Sequence, residues 1–209
     1  MMKNFEQTFA KTISYLFHPL IMPTLGIFLV FNLDTYLSYR INPDAQLYIS
    51  AIVFLNTAII PVFTAFSLVK FGAVSSIYMR EKQDRNIPFI LTSFFYFFTY
   101  YLLKQYNLPQ PIYALMLGAA LAVVITLLTN FFWKISVHMV GIGGICGALF
   151  GLAGIFQTEV LQWLLPAVFI AGLIGFARMK LNAHLSSQIY SGFLVGFFCQ
   201  WLILYWQIG

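Results

Sequence analysis

Charged residues are scarce in this chain, which has 11 lysines and arginines and 6 aspartates and glutamates among 209 residues. A typical soluble domain carries about 25% charged residues, whereas this chain has 8%. Hydrophobic residues make up 61% of the sequence, so the charged ones could not cover a water-exposed surface. These proportions exclude a soluble domain, a disordered chain, a coiled coil and collagen. They predict a polytopic membrane protein.

Cysteines and metal-binding patterns are also sparse. The two cysteines, Cys146 and Cys199, both lie inside apolar segments, which favours buried thiols over a disulfide. No cluster of cysteine, histidine and acidic residues has the spacing of a metal site, so we expect no metal and no cofactor. The net charge of +5 comes from basic residues scattered among apolar segments. A nucleic-acid-binding module would gather them on one face, so we expect no nucleic-acid partner.

Long apolar runs dominate the chain, and a membrane-spanning helix needs about 20 mostly apolar residues. The candidate spans are 13–33, 46–69, 87–103, 111–133, 139–157, 160–177 and 187–207. Three of them are near the lower length limit, which leaves six or seven spans open. The gaps are too short for a further domain. We therefore predict a single transmembrane domain over residues 1–209, an all-α helical bundle.

Basic residues are distributed unevenly between the two sides of the predicted bundle. With seven spans, the N-terminus and the loops at 70–86, 134–138 and 178–186 share one side. Of the 11 basic residues, only Arg40 and Lys104 lie on the other side. The positive-inside rule places the basic side in the cytoplasm. We expect an integral, multi-pass protein of the bacterial inner membrane.

Glycines recur at four-residue spacing in the fifth predicted span, at Gly143, Gly147 and Gly151. This spacing puts them on one helix face, where two helix backbones can approach closely. A phosphate-cradling loop formed by GIGG at 141–144 is the alternative. The position of this run inside an apolar segment favours helix packing.

Three loops on the basic side contain nearly all the unusual polar residues. They read MREKQDRNIP at 79–88, WKISVHMVG at 133–141 and ARMKLNAHLSSQIYSGFLVG at 177–196. Ionisable residues at membrane depth are costly and are functional candidates by default. Their convergence from three segments therefore predicts a site, in the part of the chain from about residue 80 to 209.

Two histidines in these loops, His138 and His184, are each accompanied by cations. Imidazole acts as a nucleophile or as a general acid and base near neutral pH. Cations such as Arg178 and Lys134 can hold a phosphate or another oxyanion. This combination suggests phosphoryl transfer through a phosphohistidine, in which one histidine attacks and the other protonates the leaving oxygen.

The same residues resemble motifs of the type 2 phosphatidic acid phosphatase superfamily. Arg178 and His184 match the spacing of its final motif, Ser-Arg-x5-His-x3-Asp. Ser136 and His138 match its Pro-Ser-Gly-His motif. The loop at 79–88 resembles its Lys-x6-Arg-Pro motif through a lysine, an arginine and a proline, namely Lys82, Arg85 and Pro88.

This resemblance implies a metal-independent lipid phosphate phosphatase. His184 would be the nucleophile, His138 the general acid, and Arg178 would complete the catalytic group. By the resemblance, Arg178, Ser136, Arg85 and Lys82 would bind the substrate phosphate. Lys134, a cation in the same loop as His138, is a further candidate for binding it. The implied substrate is a membrane lipid such as a phosphatidate, a phosphatidylglycerophosphate or a polyprenyl phosphate.

Several departures from the family pattern keep other functions open. Ile135 and Val137 replace the proline and glycine of the second motif, Ala177 replaces the serine of the final motif, and Gln188 stands where the final motif has aspartate. Four residues after His184 on a helix, its amide oxygen could orient the imidazole. It cannot supply the negative charge that stabilises an imidazolium. The alternatives are an inactive relative that binds or transports an anionic lipid, and a small transporter or channel. The sequence leaves the oligomeric state open.

A third histidine, His18, lies in the first predicted span and is followed by Pro19. The favoured interpretation is an interfacial polar residue at a kink in the helix. A role near the phosphate site is the alternative.

Overall fold

The chain folds into an α-helical bundle, as a computed structural model shows for residues 2–77 and 83–208. Seven segments of this part are long and apolar enough to cross a membrane. They are Phe5–Asn32, Pro43–Lys70, Gln83–Gln105, Gln110–Phe132, Val137–Phe156, Leu161–Lys180 and Ser186–Gln207. The predicted all-α, multi-pass architecture is confirmed, and the described residues contain seven rather than six segments that could span a membrane.

The helices follow one another with short connections. The first two spans contain α1 (Met2–Leu16), a 3-10 turn (Pro19–Ile21), α2 (Met22–Asn32), the short connecting helix α3 (Tyr36–Arg40), α4 (Pro43–Phe54), a π-helical turn (Leu55–Ile59) and α5 (Ile60–Lys70). The other five contain a 3-10 turn (Gln83–Arg85), α6 (Asn86–Gln105), α7 (Gln110–Phe132), α8 (Val137–Phe156), α9 (Leu161–Lys180) and α10 (Ser186–Ile208).

The first span begins before residue 13, where the apolar run predicted its start. Polar residues such as Glu6 and Lys11 lower the hydropathy of α1, so a search for long apolar runs does not include its first turns. This helix nevertheless packs along α9, and Glu6 forms an ion pair with Lys180 near the end of that helix. Tertiary contact therefore stabilises a segment whose composition alone did not mark it as part of the span.

Helix α8 lies at the centre of the bundle and packs most extensively against α10. A β-carbon added at Gly143 or Gly147 would collide with the backbone of α10 at Phe193 or Phe197. From the opposite side, a β-carbon at Gly192 would lie 2.7 Å from the carbonyl oxygen of Ser136. The predicted close approach of helices along the glycine face is confirmed, and the GIGG run lies inside α8 rather than in a loop.

Both cysteines are free thiols. Cys146 is buried in α8 and Cys199 is partly buried in α10, so the prediction of thiols within apolar segments is confirmed.

Candidate functional site

Several helix ends meet around one cavity of about 1160 Å³. The loop between α7 and α8 brings Lys134, and the loop between α9 and α10 brings His184. The first turn of α8 carries His138, the last turn of α9 carries Arg178, and Arg85 precedes α6. All five residues line this cavity, so the three sequence-distant loops converge as the hypothesis requires.

The polar end of the cavity is strongly cationic. Five basic side chains line it, namely Lys11, Arg85, Lys134, Arg178 and Lys180. Of these, Lys180 is paired with Glu6, which does not line the cavity. No carboxylate is among the described residues of the lining. Such an imbalance attracts an anion, since arginine and lysine form charge-assisted hydrogen bonds with phosphate oxygens.

The other end of the cavity lies deep between the spans and is mainly apolar, with Gln200 as a buried polar side chain in its lining. Its wall includes Met116, Ala119 and Val123 of α7 and Ala148 of α8. Ten residues separate His138 from Ala148 along α8, which corresponds to about 15 Å at 1.5 Å per residue. A ligand that fits both ends therefore combines an anionic head with an apolar tail.

The side chain of Gln188 fixes the tautomer of His184. Its Oε1 atom accepts a hydrogen bond from the backbone N–H of Leu185 at 3.2 Å, which identifies it as the oxygen. The same Oε1 lies 3.1 Å from Nδ1 of His184, so this nitrogen must carry the donated proton. The lone pair is then on Nε2, where a nucleophilic imidazole needs it.

His184 is buried, with 7% of its surface exposed, and its environment disfavours the imidazolium. Burial lowers its pKa to about 3, and the nearby charge of Arg178 acts in the same direction. The hydrogen bond with Gln188 opposes this shift, while Arg85 and Lys134 add to it. His184 is therefore uncharged at neutral pH, and an anion bound among the cations would raise its pKa again.

His138 is held by the first span. Its Nε2 lies 3.1 Å from the backbone carbonyl oxygen of Ser14, which can only accept, so Nε2 carries the proton. Its Nδ1 is buried and has no hydrogen-bond partner among the described residues. The ring meets that of His18 edge to face, with 5.7 Å between the ring centroids. This leaves Nδ1 as the nitrogen that can exchange a proton with a ligand.

Arg178 is tied to the same residue of the first span. Its Nη1 atom donates to Oγ of Ser14 at 3.4 Å. Its Nε is buried with no hydrogen-bond partner among the described residues. A buried donor without a partner is costly, so a bound oxyanion is a suitable acceptor for it.

Some predicted site residues lie elsewhere. Ser136 is fully buried at the N-terminus of α8, where its N–H donates to the carbonyl of Gln188, and it does not line the cavity. Gln188 also lies behind the cavity wall, which suits an orienting role. Lys82 lies outside the described residues.

Two contributors from the first span, Ser14 and His18, complete the site. No motif in the sequence points to Ser14. The sequence favours a kink at His18, and the structure has both this break in the helix and a contact of His18 with His138. The sequence signal is their spacing, since Lys11, Ser14 and His18 are separated by three and four residues, which would place them on one face of a continuous helix. In the structure α1 ends at Leu16, and His18 follows it with an extended backbone.

Comparisons with known proteins identify no family for this chain. No family model, no curated protein and no solved structure matches the chain.

Proposed function

We propose that this chain is an integral membrane phosphatase or phosphotransferase that acts on a lipid phosphate through a phosphohistidine. The observation that carries the proposal is the position of His184. Its proton is held on Nδ1 by Gln188, and its ring lines a cavity with five cations and no described carboxylate. The motif resemblance to the type 2 phosphatidic acid phosphatase superfamily supports the same chemistry.

In the first step, Nε2 of His184 attacks the phosphorus atom. The N–P bond forms while the bond between phosphorus and the leaving oxygen breaks. Protonated His138 donates its Nδ1 proton to that oxygen, which leaves as an alcohol, and His138 becomes the neutral tautomer with its proton on Nε2. Arg178, Arg85 and Lys134 stabilise the charge on the phosphoryl oxygens.

In the second step, water attacks the phosphohistidine. His138 takes a proton from this water through Nδ1, so the N–P bond breaks and inorganic phosphate forms. His184 returns to its neutral state with its lone pair on Nε2. Transfer to another alcohol in place of water would make the same site a phosphotransferase.

The cavity favours substrates that have a phosphate head and an apolar tail. Phosphatidate, phosphatidylglycerophosphate and polyprenyl phosphate all have this form. Their tails would lie along α7 and α8 between Met116 and Ala148, and their phosphates would reach the cations at the membrane boundary. We place the protein in the bacterial inner membrane, where such lipids are available.

A second candidate is a catalytically inactive protein that binds or transports an anionic lipid. The neutral amide of Gln188 favours it, because no carboxylate accompanies His184 to stabilise an imidazolium during catalysis. The cationic cavity would serve binding equally well.

Phosphate release from defined lipids distinguishes the two candidates. The purified protein is reconstituted in vesicles that contain each lipid phosphate in turn. We expect turnover by the native chain and a loss of roughly a thousandfold or more in His184→Asn. Turnover that survives this substitution would overturn the phosphohistidine mechanism, and tight lipid binding without turnover would support the second candidate.

A matched pair of arginine variants controls for charge. Arg178→Gln removes a cation from the cavity, whereas Arg40→Gln removes an exposed one on the other side of the bundle. We expect the inhibition constant for inorganic phosphate to rise about tenfold or more in Arg178→Gln and to stay unchanged in Arg40→Gln. The reason is that charge-assisted hydrogen bonds contribute about 1.5–3 kcal/mol.

A further inference from the structure

The first span is interrupted where His18 precedes Pro19. Proline lacks an N–H group and disfavours helical geometry in the residue before it. His18 accordingly has an extended backbone, with φ −66° and ψ 137°. The hydrogen-bond ladder of α1 ends with Phe17, whose N–H donates to the carbonyl of Ile13.

This interruption leaves the carbonyl of Ser14 for another donor. In a continuous helix the carbonyl of Ser14 would accept from the N–H of His18, four residues later. Here it accepts from Nε2 of His138, 124 residues away in the sequence, at 3.1 Å. The hydrogen bond is buried, so it determines which nitrogen of His138 carries the proton.

The ring of His18 packs beside the same imidazole. Its Nδ1 accepts from the backbone N–H of Leu20 at 3.4 Å, which holds the ring against the 3-10 turn. The two imidazole planes meet at 74°, so the edge of one ring meets the face of the other. His18 also lines the cavity, together with the cations Lys11 and Arg178.

We infer that the break at His18–Pro19 is a positioning device for the general acid, in which the carbonyl of Ser14 and the ring of His18 fix His138 with Nδ1 available to the leaving oxygen. This inference rests on the proposed function for its catalytic part. His18 is a positioning residue here, because it acts through His138. After proton transfer, His138 is left in the tautomer that the carbonyl of Ser14 stabilises.

Histidine tautomers can be observed without any turnover. The chain has three histidines, so ¹⁵N-histidine labelling gives three imidazole pairs, and His138→Asn assigns one of them. At pH 8 without ligand we expect His138 with its proton on Nε2. In Pro19→Ala the helix can continue through residue 18, so the N–H of His18 can donate a hydrogen bond to the carbonyl of Ser14. Because His138 then loses this acceptor, the fraction of His138 with its proton on Nε2 should fall. Pro166→Ala is the matched control, because Pro166 lies inside α9 and does not line the cavity.

The dependence of kcat on the leaving group tests whether His18 and Pro19 position His138 as the general acid. A nitrophenyl phosphate needs little protonation of its leaving oxygen, whereas a lipid alcohol needs it. We expect Pro19→Ala and His18→Ala to lower kcat on lipid phosphate about tenfold or more relative to kcat on nitrophenyl phosphate. His18→Phe, which keeps a flat ring at this position, should restore the native ratio.

The outcomes separate this inference from the proposed function. An unchanged His138 tautomer in Pro19→Ala overturns the positioning device, and so does a changed tautomer with an unchanged ratio of rates. No turnover of either substrate by the native chain overturns the proposed function instead. In that case the tautomer measurement still decides whether the break in the first span holds His138.

Discussion

Oε1 of Gln188 lies 3.1 Å from Nδ1 of His184, and both side chains are buried one helical turn apart at the start of α10. The amide takes the position that a carboxylate would occupy in a charged pair, and it keeps the orientation of the ring without adding charge. Because the backbone N–H of Leu185 also donates to Oε1, the orientation of this amide is fixed from two directions. The protonation state of His184 therefore depends on its burial and, to a smaller extent, on the cations around it.

Replacing Gln188 with glutamate should raise the pKa of His184 above its present value of about 3. A negative charge beside Nδ1 stabilises the imidazolium, which the neutral amide cannot do. A ¹⁵N NMR titration of the His184 imidazole measures this directly. Gln110→Glu is the matched control, since Gln110 is exposed at the start of α7 on the other side of the bundle. An unmoved pKa in Gln188→Glu would contradict the geometry.

Acidification should destabilise the fold through His184. An unfolded histidine has a pKa near 6.5, and burial with the surrounding cations lowers that of His184 to about 3. Between these values the unfolded chain binds a proton that the folded chain does not, so stability falls as pH falls through this window. At pH 4.5 the loss is on the order of 2 kcal/mol.

Thermal unfolding in detergent at pH 7.5 and pH 4.5 checks this sign. The Tm of the native chain should fall more between these two pH values than the Tm of His184→Asn, which has no imidazole to protonate. Equal shifts in the two proteins would show that other groups account for the acid sensitivity.

A larger side chain in the apolar end of the cavity should impair the turnover of long-chain substrates more than that of short-chain ones. Ala119 lines this end on α7, so Ala119→Phe reduces the space for a long chain while the cations stay in place. We expect kcat/KM for long-chain lipid phosphates to fall about tenfold or more, and that for a short-chain soluble analogue to change little. Leu128→Phe on the exposed face of the same helix is the control. A parallel loss on both substrates would argue against a tail-binding cavity.

Close helix packing predicts a strong effect at Gly196. A β-carbon there would lie 2.7 Å from the backbone nitrogen of Gly144, and backbone atoms cannot move aside cheaply. Gly196→Ala should therefore destabilise the bundle by about 1–3 kcal/mol, as overpacking does. Gly154→Ala in α8 meets nothing within 4 Å and should cost little. Unfolding in mixed detergent compares the two variants, and equal stability would contradict the packing of α8 on α10.

Local pattern in the sequence determined much of this molecule. Apolar run length identified all seven segments as candidate spans and left open whether six or seven of them cross the membrane, because lipid leaves backbone groups no partner except the helix itself. Four-residue spacing predicted the glycine face of α8 and the pairing of His184 with Gln188, since both depend on the period of a helix. Membrane depth marked His138, Arg85 and Arg178 as candidates because charge is costly there.

Only the tertiary structure decided how the site is completed. The contact between Ser14 and His138 joins residues 124 apart, and no local pattern states which helices become neighbours. The same is true of Ser136, whose motif position suggested phosphate binding but which packs against α10 away from the cavity. His18 reaches His138 because the break at Pro19 lies beside α8, and that depends on how the first span packs in the bundle. The sequence thus determined which residues are costly in lipid, and helix packing decided which of them share one cavity.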